Sequence, residues 1–241
     1  MGWSYDFWRG NFYPQDMKAA EYLHEYSKHF DTVEVNNTFY RIPSENTVMK
    51  WGQQTPRGFL FALKFPRVIT HVKMLRNCEN EVNRFLEYAS KLEDKLGPLL
   101  LQFPPTFRNQ HLHLLKDFLP SLPKKYRFAV EARNRELQQE KFYSLLRENR
   151  IALVMLDRAS MPEIDEITAD FAYARWERDR KQVKGVLGKV EVDRSNDIKR
   201  WAEKIRGFPE ATPVFGYFSK YYSGHPPTDA KQLRRFLELE R

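Results

Sequence analysis

The sequence predicts an α/β fold of the TIM (β/α)8-barrel type, with the first strand truncated or missing at the N-terminus. Short apolar runs alternate with longer segments of helical spacing, which indicates parallel strands joined by crossover helices. Runs in the middle of the chain, such as 99–101 and 151–156, are apolar at nearly every position, as strands covered on both faces are. The 241 residues contain no repeat and no Gly/Ser linker, so we expect one barrel domain over residues 1–241.

Seven apolar runs rich in β-branched and aromatic residues are the predicted strands. They cover residues 31–40, 59–66, 97–105, 126–133, 151–158, 171–177 and 212–221. A closed barrel of this type has eight strands, and the missing one is the first. Helical spacing already starts after Asp16. We therefore expect at most a short stub around residues 2–4, with a gap beside it between the neighbouring strands.

Amphipathic segments separate the runs and are the predicted helices. They follow Asp16 and Ser44, cover 80–96, 112–119 and 142–146, and begin again near Ser195 and Asp229. The stretch 159–167 has the weakest helical pattern of all the connections.

Composition excludes several classes of protein. A single cysteine excludes a disulfide scaffold and cysteine-based zinc or iron–sulfur sites. The chain has no long apolar run and no signal-peptide pattern at residues 1–10, so we expect a cytoplasmic protein without a membrane partner. Glycine-rich nucleotide loops and the GxSxG nucleophile motif are absent from the sequence. The net charge of +8 favours anionic partners.

Polar residues stand at the carboxyl ends of the predicted strands, where a (β/α) barrel builds its active site. They are Glu34, Asn36, Lys64, Gln102, Glu131, Arg133, Asp157, Arg175 and Tyr217. Alternation of side chains along a strand puts Glu34 with Asn36, and Glu131 with Arg133, on one face. If those faces point inward, carboxylates and cations meet at the mouth of the barrel. The alternative interpretation is a purely structural layer of salt bridges.

Two further sites remain open at this point. One alternative is a divalent metal ion bound by Glu34, Glu131, Asp157 and either His71 or His225. No HExxH-like spacing supports this metal site, and no cofactor is predicted.

The second is the segment 175–200, which holds nine Lys/Arg and five Asp/Glu residues. One interpretation is a basic flap over the mouth of the barrel, which bends at Gly185 and Gly188 and binds a phosphate through Lys184 and Lys189. The alternative is a charged surface that faces solvent.

Distinctive motifs give the chain a family resemblance. They are GWSYDFWRGNFYP (2–14), TVEVNNTFYRIPS (32–44), FALKFPRVITH (61–71), LGPLLLQFPPTF (96–107), FAVEAR (128–133), TADFAYARW (168–176) and YFSKYYSGHPPTDA (217–230). In this order they resemble the YecE-like family, domain of unknown function 72, in its archaeal-type form. The resemblance implies a TIM barrel and supplies no activity. Its recurrent polar positions include Trp3, Tyr5, Tyr40, Thr70, His71 and His225 in addition to the strand-end residues.

The chain departs from the family pattern at three places. Asn134, Arg135 and Glu136 follow Arg133 where the family has a His-x-x-Trp motif. After the last predicted strand, Ser219 stands where the family has paired asparagines and a histidine. At the N-terminus, Met1 directly precedes Gly2, whereas family members have a strand there that ends in Gly-Thr-Ser.

Three functional hypotheses follow. The first is an enzyme that applies carboxylate acid–base chemistry to a small anionic or phosphorylated ligand. Its predicted catalytic residues are Glu34, Glu131, Asp157 and Lys64. Its predicted substrate-binding residues are Trp3, Tyr5, Asn36, Tyr40, His71, Gln102, Arg133, Arg175, Tyr217 and His225. The second is a barrel that binds nucleic acid or is a metal-dependent phosphodiesterase. The third is a ligand-binding barrel without catalysis; the oligomeric state stays open.

Overall fold

The structure, a computed structural model, describes residues 1–178 and 180–238. Within that part, seven strands run β1 Thr32–Val35, β2 Leu60–Lys64, β3 Leu96–Gln102, β4 Phe128–Glu131, β5 Ala152–Asp157, β6 Ala172–Trp176 and β7 Val214–Phe218. The α-helices are α1 Tyr22–Ser27, α2 Glu45–Gln53, α3 Glu79–Ser90, α4 Leu112–Phe118, α5 Glu140–Glu148, α6 Ser195–Arg206 and α7 Pro226–Glu238. None of the helices in these residues has the length and apolar character to cross a membrane.

The strands form a nearly closed parallel barrel in simple chain order, β1 to β7, with each strand paired to the next. All seven predicted strands are confirmed, and each is shorter than its apolar run. The first stops at Val35 because Asn37–Phe39 turns into a 3-10 helix. The connection 159–167 forms no helix in the described structure, so the weak helical pattern there predicted its irregular course.

The place of the missing strand lies between β7 and β1. The backbone nitrogen of Met1 donates to Phe218 O at 2.8 Å, and Gly2 N donates to Glu34 O at 2.9 Å. Below them, the hydroxyls of Thr32 and Tyr217 share a hydrogen bond of 2.8 Å. The predicted stub is therefore present and short, and two residues bridge the gap at the carboxyl end of the strands.

Alternation along the strands decides what faces the barrel axis. The inner layer near the amino ends is made of small and apolar side chains, among them Ala62, Leu100 and Ala129. Two residues further along the same strands stand Lys64, Gln102 and Glu131, which are also buried. Because a strand repeats its side-chain direction every second residue, the inner face of each strand changes from apolar to polar at the mouth.

Candidate functional site

A layer of polar side chains closes the barrel just beneath its mouth. It contains Glu34, Lys64, Gln102, Glu131 and Arg175, contributed by β1, β2, β3, β4 and β6. Glu34 and Glu131 are 0% exposed and Arg175 is 2% exposed. Buried charges require partners, and here each charge has them within the layer.

Glu34 is held by donors on both carboxylate oxygens. Arg175 donates from Nε to Oε2 at 2.9 Å and from Nη2 to Oε1 at 3.1 Å. Tyr173 donates its hydroxyl to Oε2 at 2.7 Å, and Asn36 Nδ2 donates to Oε1 at 2.9 Å. Burial by itself raises the pKa of Glu34, but the charge of Arg175 and the Tyr173 hydrogen bond outweigh it, so the pKa lies below its usual range.

Glu131 is the second fully buried carboxylate. Gln102 Nε2 donates to its Oε1 at 2.8 Å, Arg133 Nε donates to the same oxygen, and Arg175 Nη1 donates to Oε2. Burial opposes ionisation, but Arg133, Arg175 and Lys64 together lower the pKa of Glu131 to about 2. Both carboxylates are therefore ionised at neutral pH and their oxygens already accept hydrogen bonds from the protein.

Lys64, like Arg175 of the same layer, lines a cavity that lies above the layer. Its Nζ donates to Gln102 Oε1 at 2.7 Å and lies 3.9 Å from the centre of the Phe39 ring. The side chain is 7% exposed. Burial, together with the nearby charge of Arg175, lowers the pKa of Lys64 to about 8, although Glu131 and Glu34 oppose the shift.

The cavity above the layer has a volume of about 680 Å³. That is the size of a small-molecule site. Eight of the predicted site residues line it, namely Tyr5, Asn36, Tyr40, Lys64, His71, Gln102, Arg133 and Arg175. Glu34 and Glu131 lie beneath it and hold the side chains of its floor.

The lining of this cavity is strongly cationic. Besides Lys64, Arg133 and Arg175, it includes Arg67, Arg158, Arg178, Arg180, Lys181 and Lys220. Among the described residues that line the cavity, Glu177 is the one carboxylate. The walls thus combine an excess of positive charge with the aromatic rings of residues such as Phe39 and Tyr221.

Glu177 forms ion pairs with three arginines at the entrance of the cavity. Arg133 Nη2 donates to both of its oxygens, at 2.7 and 2.9 Å. Arg158 Nη1 donates to Oε2 at 2.9 Å, and Arg175 Nη1 lies 2.8 Å from Oε1. One carboxylate therefore holds three guanidinium groups around a common point.

His71 lines the wall of the cavity in a π-helical turn, Val68–Val72. Its Nδ1 shares a hydrogen bond of 2.9 Å with Thr70 Oγ1, and its ring packs edge-on against Phe39. Burial, with the charges of Lys64 and Arg67, lowers the pKa of His71 to about 4. The ring is therefore neutral at pH 7 and adds no charge to the cavity.

Asp157, a predicted catalytic residue, lies outside the barrel axis. Its Oδ2 accepts from Trp201 Nε1 at 3.0 Å, and Arg178 Nε lies 2.8 Å from its Oδ1. The reason is strand alternation, because Ala152 and Val154 occupy the inner face of β5 and Asp157 therefore points to α6. The structure does not bring Asp157 near Glu34 and Glu131.

Three predicted substrate-binding residues also lie away from the cavity. Trp3 packs against Trp51 and Phe61, between the N-terminal loop and α2. Tyr217, the register partner of Arg175 on β7, is buried, and its hydroxyl shares a hydrogen bond with that of Thr32. His225 is buried beside Trp8 at the start of α7, with Nδ1 hydrogen-bonded to Thr228 Oγ1 at 2.7 Å.

The predicted metal set is not assembled. Asp157 and His225 are outside the cavity, and His71 is there without two further metal-ligating side chains. Among residues 1–178 and 180–238, no group of three or more His, Cys, Asp or Glu side chains is placed to hold a metal ion.

The basic segment 175–200 lies partly at the mouth. Arg178, Arg180 and Lys181 line the cavity, whereas Lys184 and Lys189 are exposed and are not part of the lining. The segment packs closely where glycine occurs, because Gly188 has a φ of +64° and a Cβ there would lie 1.7 Å from Phe7 O. The expected bends at Gly185 and Gly188 coincide with positive φ angles of +67° and +64°, and Lys184 and Lys189, which were expected on a phosphate, do not line this cavity.

Sequence reasoning missed Tyr173, Glu177 and Arg158. Tyr173 and Glu177 stand two residues before and after Arg175, so the period of a strand assigns all three to one face and was a usable signal. Arg158 follows β5 directly but depends on its contact with Glu177, which is 19 residues away in sequence. No local pattern predicts that contact.

Comparisons with known proteins agree with this architecture. The family model described as "Protein of unknown function DUF72" matches residues 1–241. The UPF0759 protein YecE of Escherichia coli is 41% identical over 112 residues, which are 46% of this chain and 41% of that protein. The UPF0759 protein YunF of Bacillus subtilis is 29% identical over 142 residues, 54% of this chain and 49% of that protein. These alignments span less than half the length of the curated relatives.

Two solved structures are similar over most of the chain. A DUF72 family protein from Thermotoga maritima has a TM-score of 0.83 and 26% identity, covering 98% of this chain and 96% of that chain. A DUF72 family protein from Enterococcus faecalis has a TM-score of 0.73 and 24% identity, covering 89% and 92%, and shows the fold alone. The resemblance seen in the motifs is confirmed, and its archaeal-type affinity stays a prediction. The chain belongs to the DUF72 family, a family of α/β-barrel proteins of unknown function.

Proposed function

We propose that the barrel mouth is the active site of an enzyme that binds a small anionic or phosphorylated ligand and uses Lys64 as its acid–base group. One observation carries the proposal: the buried amine of Lys64 opens into a cavity of about 680 Å³ whose walls are strongly cationic. A low-dielectric cavity with an excess of one charge attracts ligands of the opposite charge.

Binding is assigned to the guanidinium groups at the floor and entrance. Arg133 and Arg175 are already oriented by Glu131 and Glu34, so they lose little side-chain entropy when a ligand binds. Arginine forks suit phosphate and carboxylate groups because they donate two parallel hydrogen bonds. A phosphoryl group is therefore expected next to Arg133, with the rest of the ligand reaching down toward Lys64.

Acid–base chemistry is assigned to Lys64 rather than to the carboxylates. Glu34 and Glu131 have pKa values below their usual range and accept hydrogen bonds on both oxygens, so they are poor proton carriers at neutral pH. Lys64, with its pKa lowered to about 8, exchanges a proton near neutral pH. The two carboxylates then act as positioning residues that orient Arg175, Arg133 and, through Gln102, the amine of Lys64.

Isothermal titration with glycerol 3-phosphate, with glycerol as the uncharged control, tests this proposal. We expect saturable binding at pH 7, weakened about tenfold or more by Arg133→Gln because a charge-assisted fork is lost. Binding is expected to weaken from pH 7 to pH 9 in the wild type, as Lys64 loses its proton, and to lose that pH dependence in Lys64→Met.

The matched control is Arg147→Gln, on the exposed side of α5. Binding that is absent, or that changes equally in Arg147→Gln and Arg133→Gln, would contradict the proposal. A ligand-binding barrel without catalysis predicts the same titration and no chemical conversion of any phosphate ester that binds.

Nucleic acid is the second ligand class that a specific observation favours. Tyr40 is 81% exposed at the rim of the cavity, and Arg180 lies over the Tyr221 ring at 4.8 Å from its centroid. Exposed aromatic rings beside arginines stack on unpaired bases. Single-stranded DNA of mixed sequence is therefore the probe, with anisotropy measured at low and high salt. A response to salt that is flat, or binding unaffected by Tyr40→Ala, would remove this candidate.

A further inference from the structure

The amine of Lys64 is placed as a nucleophile as well as a proton carrier. A buried lysine beside other cations keeps part of its amine neutral, and a neutral amine attacks carbonyl carbon. In this barrel Arg175 and Arg133 supply the neighbouring positive charge, and Gln102 fixes the amine through a hydrogen bond of 2.7 Å.

The surroundings of the amine suit a covalent step. Gln102 Oε1 accepts a hydrogen bond from Nζ at 2.7 Å, and Lys64 lines the cavity, where a ligand can reach the amine. The ring of Phe39, 3.9 Å from Nζ, shields one side from water. Glu34 and Glu131 lie below and are saturated with donors, so neither takes the amine as a tight ion-pair partner.

We propose that Lys64 forms an imine with a phosphorylated aldehyde or ketone whose phosphoryl group is bound at the arginine-rich entrance. The neutral amine attacks the carbonyl carbon, an N–C bond forms, and the carbonyl oxygen takes up the electron pair and a proton. The resulting carbinolamine loses this oxygen as water and leaves a protonated C=N bond. From the lysine ammonium to the protonated imine, the nitrogen loses two protons, and both leave in the water molecule. Hydrolysis reverses the step.

The substrate class follows from the two ends of the site. The cationic entrance selects a phosphate, and the amine at the floor selects an electrophilic carbon. An imine at that carbon withdraws electrons and makes the adjacent C–H or C–C bond easier to break. This inference rests on the proposed function, because it requires the same anion site and the same lysine.

Reductive trapping tests the inference on the full chain. The protein is incubated with glyceraldehyde 3-phosphate and cyanoborohydride, and adducts are mapped by peptide mass spectrometry. We expect Lys64 to be labelled about tenfold faster or more than surface lysines, because more of its amine is neutral at pH 7. Glycerol 3-phosphate is expected to slow this labelling, and glyceraldehyde, which lacks the phosphate, to show little preference for Lys64.

A second variant separates a lost nucleophile from a lost fold. Lys64→Arg keeps the positive charge and is expected to bind glycerol 3-phosphate while giving no adduct at position 64. If glycerol 3-phosphate binds the wild type but Lys64 is labelled no faster than surface lysines, the imine is overturned and the anion site stands. If glycerol 3-phosphate does not bind at all, the proposed function itself is overturned.

Discussion

Arg175 donates two hydrogen bonds to Glu34, Nε to Oε2 at 2.9 Å and Nη2 to Oε1 at 3.1 Å, and both side chains are buried inside the barrel. The same guanidinium also contacts Glu131 and Glu177. Arg175 is thus the cation that allows two carboxylates to remain ionised within the barrel. The arrangement of the charged side chains at the floor of the cavity therefore depends on Arg175.

Arg175→Met is expected to destabilise the protein by about 3–5 kcal/mol, because it leaves Glu34 and Glu131 buried with less compensating charge. The free energy of unfolding in urea measures the effect. Arg147→Met removes an arginine from exposed ion pairs with Glu140 and Glu166 and is expected to change stability little. Similar losses in the two variants would contradict a special role of the buried arginine.

Acid stability is expected to depend on Glu131. Its pKa falls from 4.5 to about 2 in the folded protein, so the carboxylate contributes stability above the unfolded value. That contribution is lost as the pH falls from 4.5 toward 2. Urea unfolding across this window should show a steeper loss of stability in the wild type than in Glu131→Gln. Parallel pH curves for the two proteins would show that Glu131 is not held ionised by its cations.

Lys64 is expected to cost stability at neutral pH. Its pKa is lowered from 10.5 to about 8, so the unfolded chain binds the proton more tightly, and stability rises as the pH increases between these values. Lys64→Met should be more stable than the wild type at pH 7, by on the order of 2 kcal/mol, and the difference should shrink toward pH 10. A variant that is less stable at pH 7 would mean that the ammonium is stabilising.

Glu177 is expected to weaken anion binding. Its carboxylate already occupies the point at which Arg133, Arg158 and Arg175 meet, so an incoming phosphoryl group meets a like charge there. Glu177→Gln should bind glycerol 3-phosphate on the order of tenfold more tightly at low salt. Weaker binding in this variant would show instead that Glu177 is needed to hold the arginines in place.

The order of strands was readable from the sequence, and the direction of some side chains was not. The run 97–105 reads as a strand because nearly all of it is apolar. In β5 the same property hides the alternation, because both faces are buried, and the direction of Asp157 could not be predicted from the apolar run. In β1 and β4 the polar residues Glu34 and Glu131 interrupt apolar runs, and their inward placement is confirmed.

Pairs that join distant elements lay beyond sequence reasoning. Arg133 and Glu177 are 44 residues apart, and Lys64 and Gln102 are 38 residues apart. The pairing of β2 with β3 brings Lys64 to Gln102, and the curvature of the barrel brings the end of β4 to the end of β6. Trp3 was assigned to the site through the family resemblance, and His225 also through its place after the last strand, whereas aromatic packing against Trp51 and Trp8 holds them outside the cavity.

A crystal structure with glycerol 3-phosphate at a saturating concentration is the most direct test of the anion site. We expect the phosphoryl group to lie within hydrogen-bond distance of Arg133, with the hydroxyl end of the ligand next to Lys64 Nζ. A phosphoryl group bound outside the cavity, or a ligand that leaves both Lys64 and Arg133 untouched, would contradict the central claim that the barrel mouth binds small phosphorylated molecules.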